Sequence, residues 1–276
     1  MSLILDSAEP ISAPAAARGG SRFGAGRIIA PLLGVAVLAA AWTLAGAVLA
    51  RNPATMAFAG FAPGPTLTRL WTMLVDGSVW RAFTPSASRV GWGLGFAIVI
   101  GAPVGVLVGR SRFFREATYI PFQLVRMISP LAWMPIAILL FATWDGAIVF
   151  LIAAAAVWPI VFAVAHGLKK LDPDWFKVAH NLGANPWHVL TAVIIPATAQ
   201  DFLSGVRLAA GVAWIVLVPA EFLGVTSGLG YAINDARDTL EYDRLGAIVL
   251  VIGVIGFVFD GLLLALIRRV SWTRRD

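Results

Sequence analysis

Cysteine is absent from the 276 residues, so the chain has no disulfide framework, no thiolate metal site and no cysteine nucleophile. Charge is scarce as well: 13% of residues are Asp, Glu, Lys or Arg, against about 25% in soluble domains. Lysine occurs only at Lys169, Lys170 and Lys177, and none follows a glycine, so there is no G-x-x-x-x-G-K-[ST] phosphate loop. The three histidines, His166, His180 and His188, do not stand at metal-ligand spacing, and no side chains form a convincing catalytic set. These scarcities exclude a soluble globular domain and a nucleotide-hydrolysing subunit. They lead us to expect no metal, no catalytic residue and no cofactor in this chain.

Apolar residues are abundant, at 59% of the chain, with a mean hydropathy of +0.83. A helix needs about 20 mostly apolar residues to cross a bilayer. Six stretches meet or approach that length: 28–50, 90–108, 117–141, 146–168, 205–223 and 245–267. In lipid the backbone must satisfy its own polar groups, so each is expected to be a helix. The net charge of +6 reads as membrane orientation rather than nucleic-acid binding. With the N-terminus inside, 14 of the 21 basic residues fall on the inner side and six on the outer, while Arg126 lies within a span. Both termini are therefore expected in the cytoplasm.

The expected organisation is a disordered cytoplasmic N-terminus over 1–27, a membrane domain over 28–267 and a cytoplasmic tail over 268–276. A cleaved signal peptide is disfavoured because the first apolar run exceeds a 7–15-residue h-region. On the outer side, Leu67, Leu70, Trp71 and Leu74 stand at helical spacing. They predict an amphipathic helix, either lying on the membrane surface with Trp71 and Trp80 as anchors or packed as a loop helix.

The loop 169–204 is organised. Asp172 and Pro173 read as helix cap and first residue, Gly183 as a left-handed stop, and Asn185 and Pro186 as a second cap and start. Pro196 is expected to end the second helix. Two short helices joined at Gly183–Asn185 result, and spacing alone leaves open whether they close the bundle or grip a partner.

Lys177-Val-Ala-His-Asn-Leu-Gly183, followed by Val193-Ile-Ile-Pro196, resembles the EAA signature of bacterial ABC-importer permeases, matching it at Ala179, Gly183 and Pro196. Lys177 stands where that signature has Glu, and Val178 where it has Ala. The segment from Arg126 to Pro135 (RMISPLAWMP) is similar to the third span of the nitrate/sulfonate/taurine/bicarbonate branch. So are Ser88–Gly109, Leu208–Glu221 and the Gly228-Leu-Gly-Tyr segment. The resemblance covers roughly residues 60–268. It implies a type I ABC-importer permease fold: an all-α polytopic membrane protein of about six transmembrane helices with a two-helix cytoplasmic coupling loop. It also implies a homodimer in the bacterial inner membrane with two cytoplasmic ATPase subunits that bind ATP and Mg, and an external solute-binding protein. Lys177, Ala179, Gly183, Ala184, Asn185 and Pro196 are then the residues expected to couple to the ATPase.

Five residues are candidates for a pathway or gate. Arg126 sits deep in the third span, where an ionisable residue is a functional candidate by default; the alternatives are that it snorkels to the inner headgroups, which its depth disfavours, or forms a structural pair with Glu221 or Asp260. Trp133, Trp158 and Trp214 either line a path or simply pack. Glu221 fits a structural or gating role better than anion binding, since a carboxylate repels an anion. Asp201 and Arg207 are expected to bond each other or lipid headgroups. Gly101, Gly105 and Gly109 form a small-residue face expected to pack within the subunit. The competing function is an ion-gradient transporter using Arg126 and Glu221 as coupling groups, which lacks the inverted repeat such proteins carry.

Overall fold

The computed structural model describes residues 26–270, and the described residues are helical with no strand. The segment expected to be disordered, 1–27, and the tail, 268–276, fall largely outside them. Gly26 and Arg27 already belong to the first helix, and the last runs on to Val270. The helices are α1 (Gly26–Arg51), α2 (Pro63–Val75), α3 (Ser78–Arg110), α4 (Arg112–Met127), α5 (Met134–Leu140) and α6 (Trp144–Lys169). There follow α7 (Pro173–Asn181), α8 (Pro186–His188), α9 (Ile195–Gly224), α10 (Leu229–Asp238) and α11 (Tyr242–Val270). Five helical runs are long and apolar enough to cross a membrane, and α4 with the turn and helix of Pro130–Leu140 makes a sixth, bent by 89°.

That bend corrects the single straight span expected over 117–141. Ile128 and Ser129 leave the helical region, with ψ of 127° and 131°, and Pro130 follows with no N–H to continue the ladder. The second span is also longer than its apolar stretch, starting at Ser78. Its entry is shaped by Gly77 at φ 76° and by Asp76, whose carboxylate accepts from the Ser78 N–H at 2.8 Å. That hydrogen bond holds the Asp76 carboxyl below its ordinary range. Helix starts elsewhere are local and legible: Ser111 caps α4, Thr143 caps α6, Asp172 caps α7 and Asn185 caps α8.

The core centres on α6, which packs between α3 and α9. The four glycines Gly93, Gly101, Gly105 and Gly109 of α3 lie against Ile152, Ile160, Val164 and Leu168 of α6. The small-residue face is thus a seam within the subunit. On the other side of α6, Gly205 of α9 meets Ala163. At one end of the bundle, α2 and α10 pack against α11 around Met73, Leu229, Ala236 and Ile248. The stripe read on α2 is split: Leu67, Trp71 and Leu74 are exposed, whereas Leu70 packs against this contact beside the buried Met73. Helix α1 stands apart, held through the Trp42 Nε1–H bond to the Phe61 carbonyl at 2.7 Å and the contact of Gly46 with Ala62.

A second correction concerns the loop 169–204. The helix beginning at Pro186 does not stop at Pro196. It passes through a π-helical stretch, Val189–Ile194, directly into α9, and Pro196, which has no N–H to donate, stands where the π-helical stretch gives way to α9.

Gly105→Leu should lower stability by about 1–3 kcal/mol through overpacking, because a Cβ there would sit 2.8 Å from the Val161 carbonyl oxygen. Gly95→Ala, with nothing within 4 Å of the new Cβ, should be neutral or stabilising. Thermal unfolding of the purified protein measures both.

Candidate functional site

A cavity of about 800 Å³ opens between the end of α4, the Pro130–Trp133 turn, α6 and α9. Its walls follow from periodicity. Trp158, Phe162 and His166 recur every four residues along α6, and Asp201, Ser204, Gly205, Leu208 and Val212 share one face of α9. Pro159 interrupts the α6 ladder at the same level. Trp158 meets Phe122 edge-on at 5.1 Å and lies nearly parallel to Phe162 at 6.3 Å, forming an aromatic wall. The Arg126 guanidinium lies over the Phe162 ring, 5.1 Å from its centroid. No carboxylate among the described residues pairs with it. The cavity's one acid, Asp201, accepts from Lys170 Nζ at 2.7 Å.

Of the candidates read from sequence, the structure brings Arg126, Trp133 and Trp158 together on this cavity. Trp214 and Glu221 are elsewhere. Trp214 packs against Phe259 and over Gly256. The expected ionic partners also differ: Asp260 pairs with Arg207 at 2.6 Å, Asp201 with Lys170, and Glu221 with Arg89.

Glu221 is fully buried and belongs to a network that the sequence reading missed. Its carboxylate accepts from the Ser86 hydroxyl at 2.8 Å, from Arg89 Nη1 and from the Gly230 N–H at 2.9 Å. Ser86 Oγ in turn accepts from the Leu229 N–H at 2.9 Å. The carboxylate thus sits at the start of α10, where helix N–H groups are otherwise unmet. Arg89 also donates to the Ser227 carbonyl at 2.8 Å and to Asp145 at 2.7 Å. Four helices, α3, α6, α9 and α10, are tied by one guanidinium and two carboxylates, those of Glu221 and Asp145. The close approach explains the Gly228-Leu-Gly230 run: Gly228 has φ 111°, and a Cβ at either glycine would collide with Glu221. Ser86 and Arg89 stand one helical turn apart, a spacing visible in the sequence but placed there outside the span.

The coupling candidates occupy an exposed knob beyond the arginine-rich end of α3. Gly183 adopts φ 75°, and the α7 ending is completed by the Gly183 N–H to the His180 carbonyl at 2.9 Å and the Ala184 N–H to the Ala179 carbonyl at 3.0 Å. Asn185 Oδ1 accepts from the His188 N–H at 2.8 Å. Lys177 is exposed and pairs with Asp174 at 2.7 Å. Trp175, Val178, Leu182 and Trp187 are exposed around the turn. Pro196 lies past the knob, exposed at the foot of α9.

The family model for binding-protein-dependent transport system inner membrane components matches residues 97–272. Among curated relatives, the bicarbonate transport system permease protein CmpB of Synechococcus elongatus is 34% identical over 204 residues, 73% of this chain and 70% of its own. The taurine transport system permease protein TauC of Escherichia coli is 31% identical over 218 residues, 76% of this chain and 79% of its own. The nitrate import permease protein NrtB of Synechococcus elongatus is 33% identical over 190 residues, 69% and 67%.

Arg89→Met should destabilise the protein by about 3–5 kcal/mol, because it strands the Glu221 charge in the core. The double variant Arg89→Met/Glu221→Met should lose less than the sum of the two single variants. A double-mutant cycle by thermal unfolding reads this directly.

Proposed function

Because the chain belongs to the family of binding-protein-dependent transport system inner membrane components, we propose that it is the permease subunit of an ATP-driven ABC importer for a small anion of the nitrate, sulfonate/taurine or bicarbonate type. The solute is delivered by an external binding protein. ATP and Mg are bound by two partner ATPase subunits at the cytoplasmic face, and a second copy of this chain completes the pathway. In this reading both termini are cytoplasmic, which the distribution of arginine and lysine supports.

The observation that carries the proposal is mechanical. One continuous helical run, Pro186–Gly224, leads from the exposed knob to the wall of the cavity. A push on residues 173–195 by a closing ATPase dimer moves Asp201, Ser204 and Leu208 without an intervening hinge loop. Alternating access needs such an element, with two positions biased from outside. Lys177, Ala179, Gly183, Ala184 and Asn185 form the grip, and Pro196 stands where the grip becomes the spanning helix. Arg126 supplies the attraction for an anion, with Trp133 and Trp158 as apolar walls. Trp214 and Glu221 act through packing and clamping rather than on the solute.

The ion-gradient alternative asks Arg126 and Glu221 to work together. Glu221 is enclosed by Arg89, Ser86 and Gly230 and does not line the cavity that holds Arg126, which weighs against it.

The test is uptake by reconstituted vesicles containing the cognate ATPase and binding protein, with a panel of these anions. ATP-dependent uptake insensitive to ionophores supports the proposal, and ionophore-sensitive uptake without ATP overturns it. Gly183→Leu should cut ATP-coupled uptake about 5–30-fold, since a left-handed leucine costs about 1–2 kcal/mol. The variant should still reach the membrane, and normal uptake would remove the knob from the coupling mechanism.

A further inference from the structure

Beside the main cavity, two adjoining pockets of about 680 and 450 Å³ run between α4 and α6 at the arginine-rich end of the bundle and share Arg115 and Lys169. Their lining carries Arg110, Arg115, Lys169, His166 and, about three turns deeper on α4, Arg126, and it contains no carboxylate. The neighbouring cations are neutralised: Arg112 by Glu116 at 2.7 Å and Lys170 by Asp201. Arg110, Arg115 and Lys169 have no carboxylate within ion-pair distance among the described residues. Arg115 is held in place, donating through Nε to the Val108 carbonyl at 3.2 Å and through Nη2 to the Gly109 carbonyl at 3.4 Å, which leaves Nη1 available.

The carbonyl ends of α3 and α6 reach this trench, and each contributes about half a negative charge. Three full positive charges outweigh them. A second observation narrows the ligand: Gln123 Oε1 is buried in the same trench without a hydrogen-bond partner. A buried acceptor left unpaired is costly, so the missing partner is a donor. The floor, with Val108, Phe122 and Ala165, is apolar.

We propose that this trench, which meets the transport cavity at Arg126, Phe162 and His166, holds an oxyanion-binding site of its own at Arg110, Arg115 and Lys169, taking a phosphate-type group that also carries a hydroxyl. The basic residues hold the anionic oxygens, and the hydroxyl donates to Gln123. Such a group is either the headgroup of an anionic phospholipid, for which basic pockets between membrane helices are suited, or free hydrogen phosphate.

Thermal unfolding of the full-length protein tests the site without any transport readout, so its outcome is independent of the importer reading. One arm compares nanodiscs of phosphatidylcholine with nanodiscs containing added phosphatidylglycerol. The other titrates inorganic phosphate into phosphatidylcholine nanodiscs. A saturable rise in midpoint in the first arm alone identifies a lipid headgroup, and one in the second identifies the free anion; either supports the site. Lys169→Gln should weaken the response about fivefold, whereas Arg112→Gln, which removes the same charge from an already paired residue, should leave it unchanged. No saturable response in either arm, or equal loss in both variants, overturns the proposal.

Discussion

The approach of α3 to α6 is set by glycine. At Gly93, Gly101, Gly105 and Gly109 the α6 side chains come so close that no Cβ fits without displacement. In a bilayer there is little hydrophobic gain from bringing two apolar helices together, so association relies on close packing of this kind. Everything functional is hung on the result. With one face of α6 committed to α3, its other faces are left for α9 and for the wall of the cavity. Pro159, Trp158, Phe162 and His166 fall on the cavity side because the seam holds the opposite one.

Two kinds of tie then divide the molecule. At one end the Arg89–Glu221 network joins α3, α6, α9 and α10 through buried charge, an arrangement that is stiff because every donor and acceptor depends on the others. At the other end α9 leaves the bundle and continues into the exposed knob. The helix is thus clamped by buried charge near its C-terminus and held at its start by packing of Ile194 and Thr198 and by the Lys170–Asp201 pair.

Local signals were well legible in the sequence. Asp172, Asn185 and Gly183 were readable as caps and turn because their chemistry acts within a few residues, and the α3 seam was readable because glycines at four-residue spacing have few other uses. The cavity was partly legible: Arg126, Trp133 and Trp158 stood out as rare residue types in apolar runs. What escaped was pairing across distance. Nothing local assigns Glu221 to Arg89 rather than Arg126, or Asp260 to Arg207, because those choices are made by helix packing. Continuity also escaped, since Pro196 reads as a stop, and only the π-helical stretch before it shows that the helix runs past it.

The Arg89–Glu221 pair spans 132 residues of chain. At a synthesis rate of 5–20 residues per second, the arginine waits about 7–26 s for its carboxylate to be made. For that interval a cation destined for the protein interior has only water, lipid phosphate or its neighbour Asp145 to satisfy it. The set of partners around Arg89 is therefore complete only once α9 and the Ser227 turn that follows it have been made.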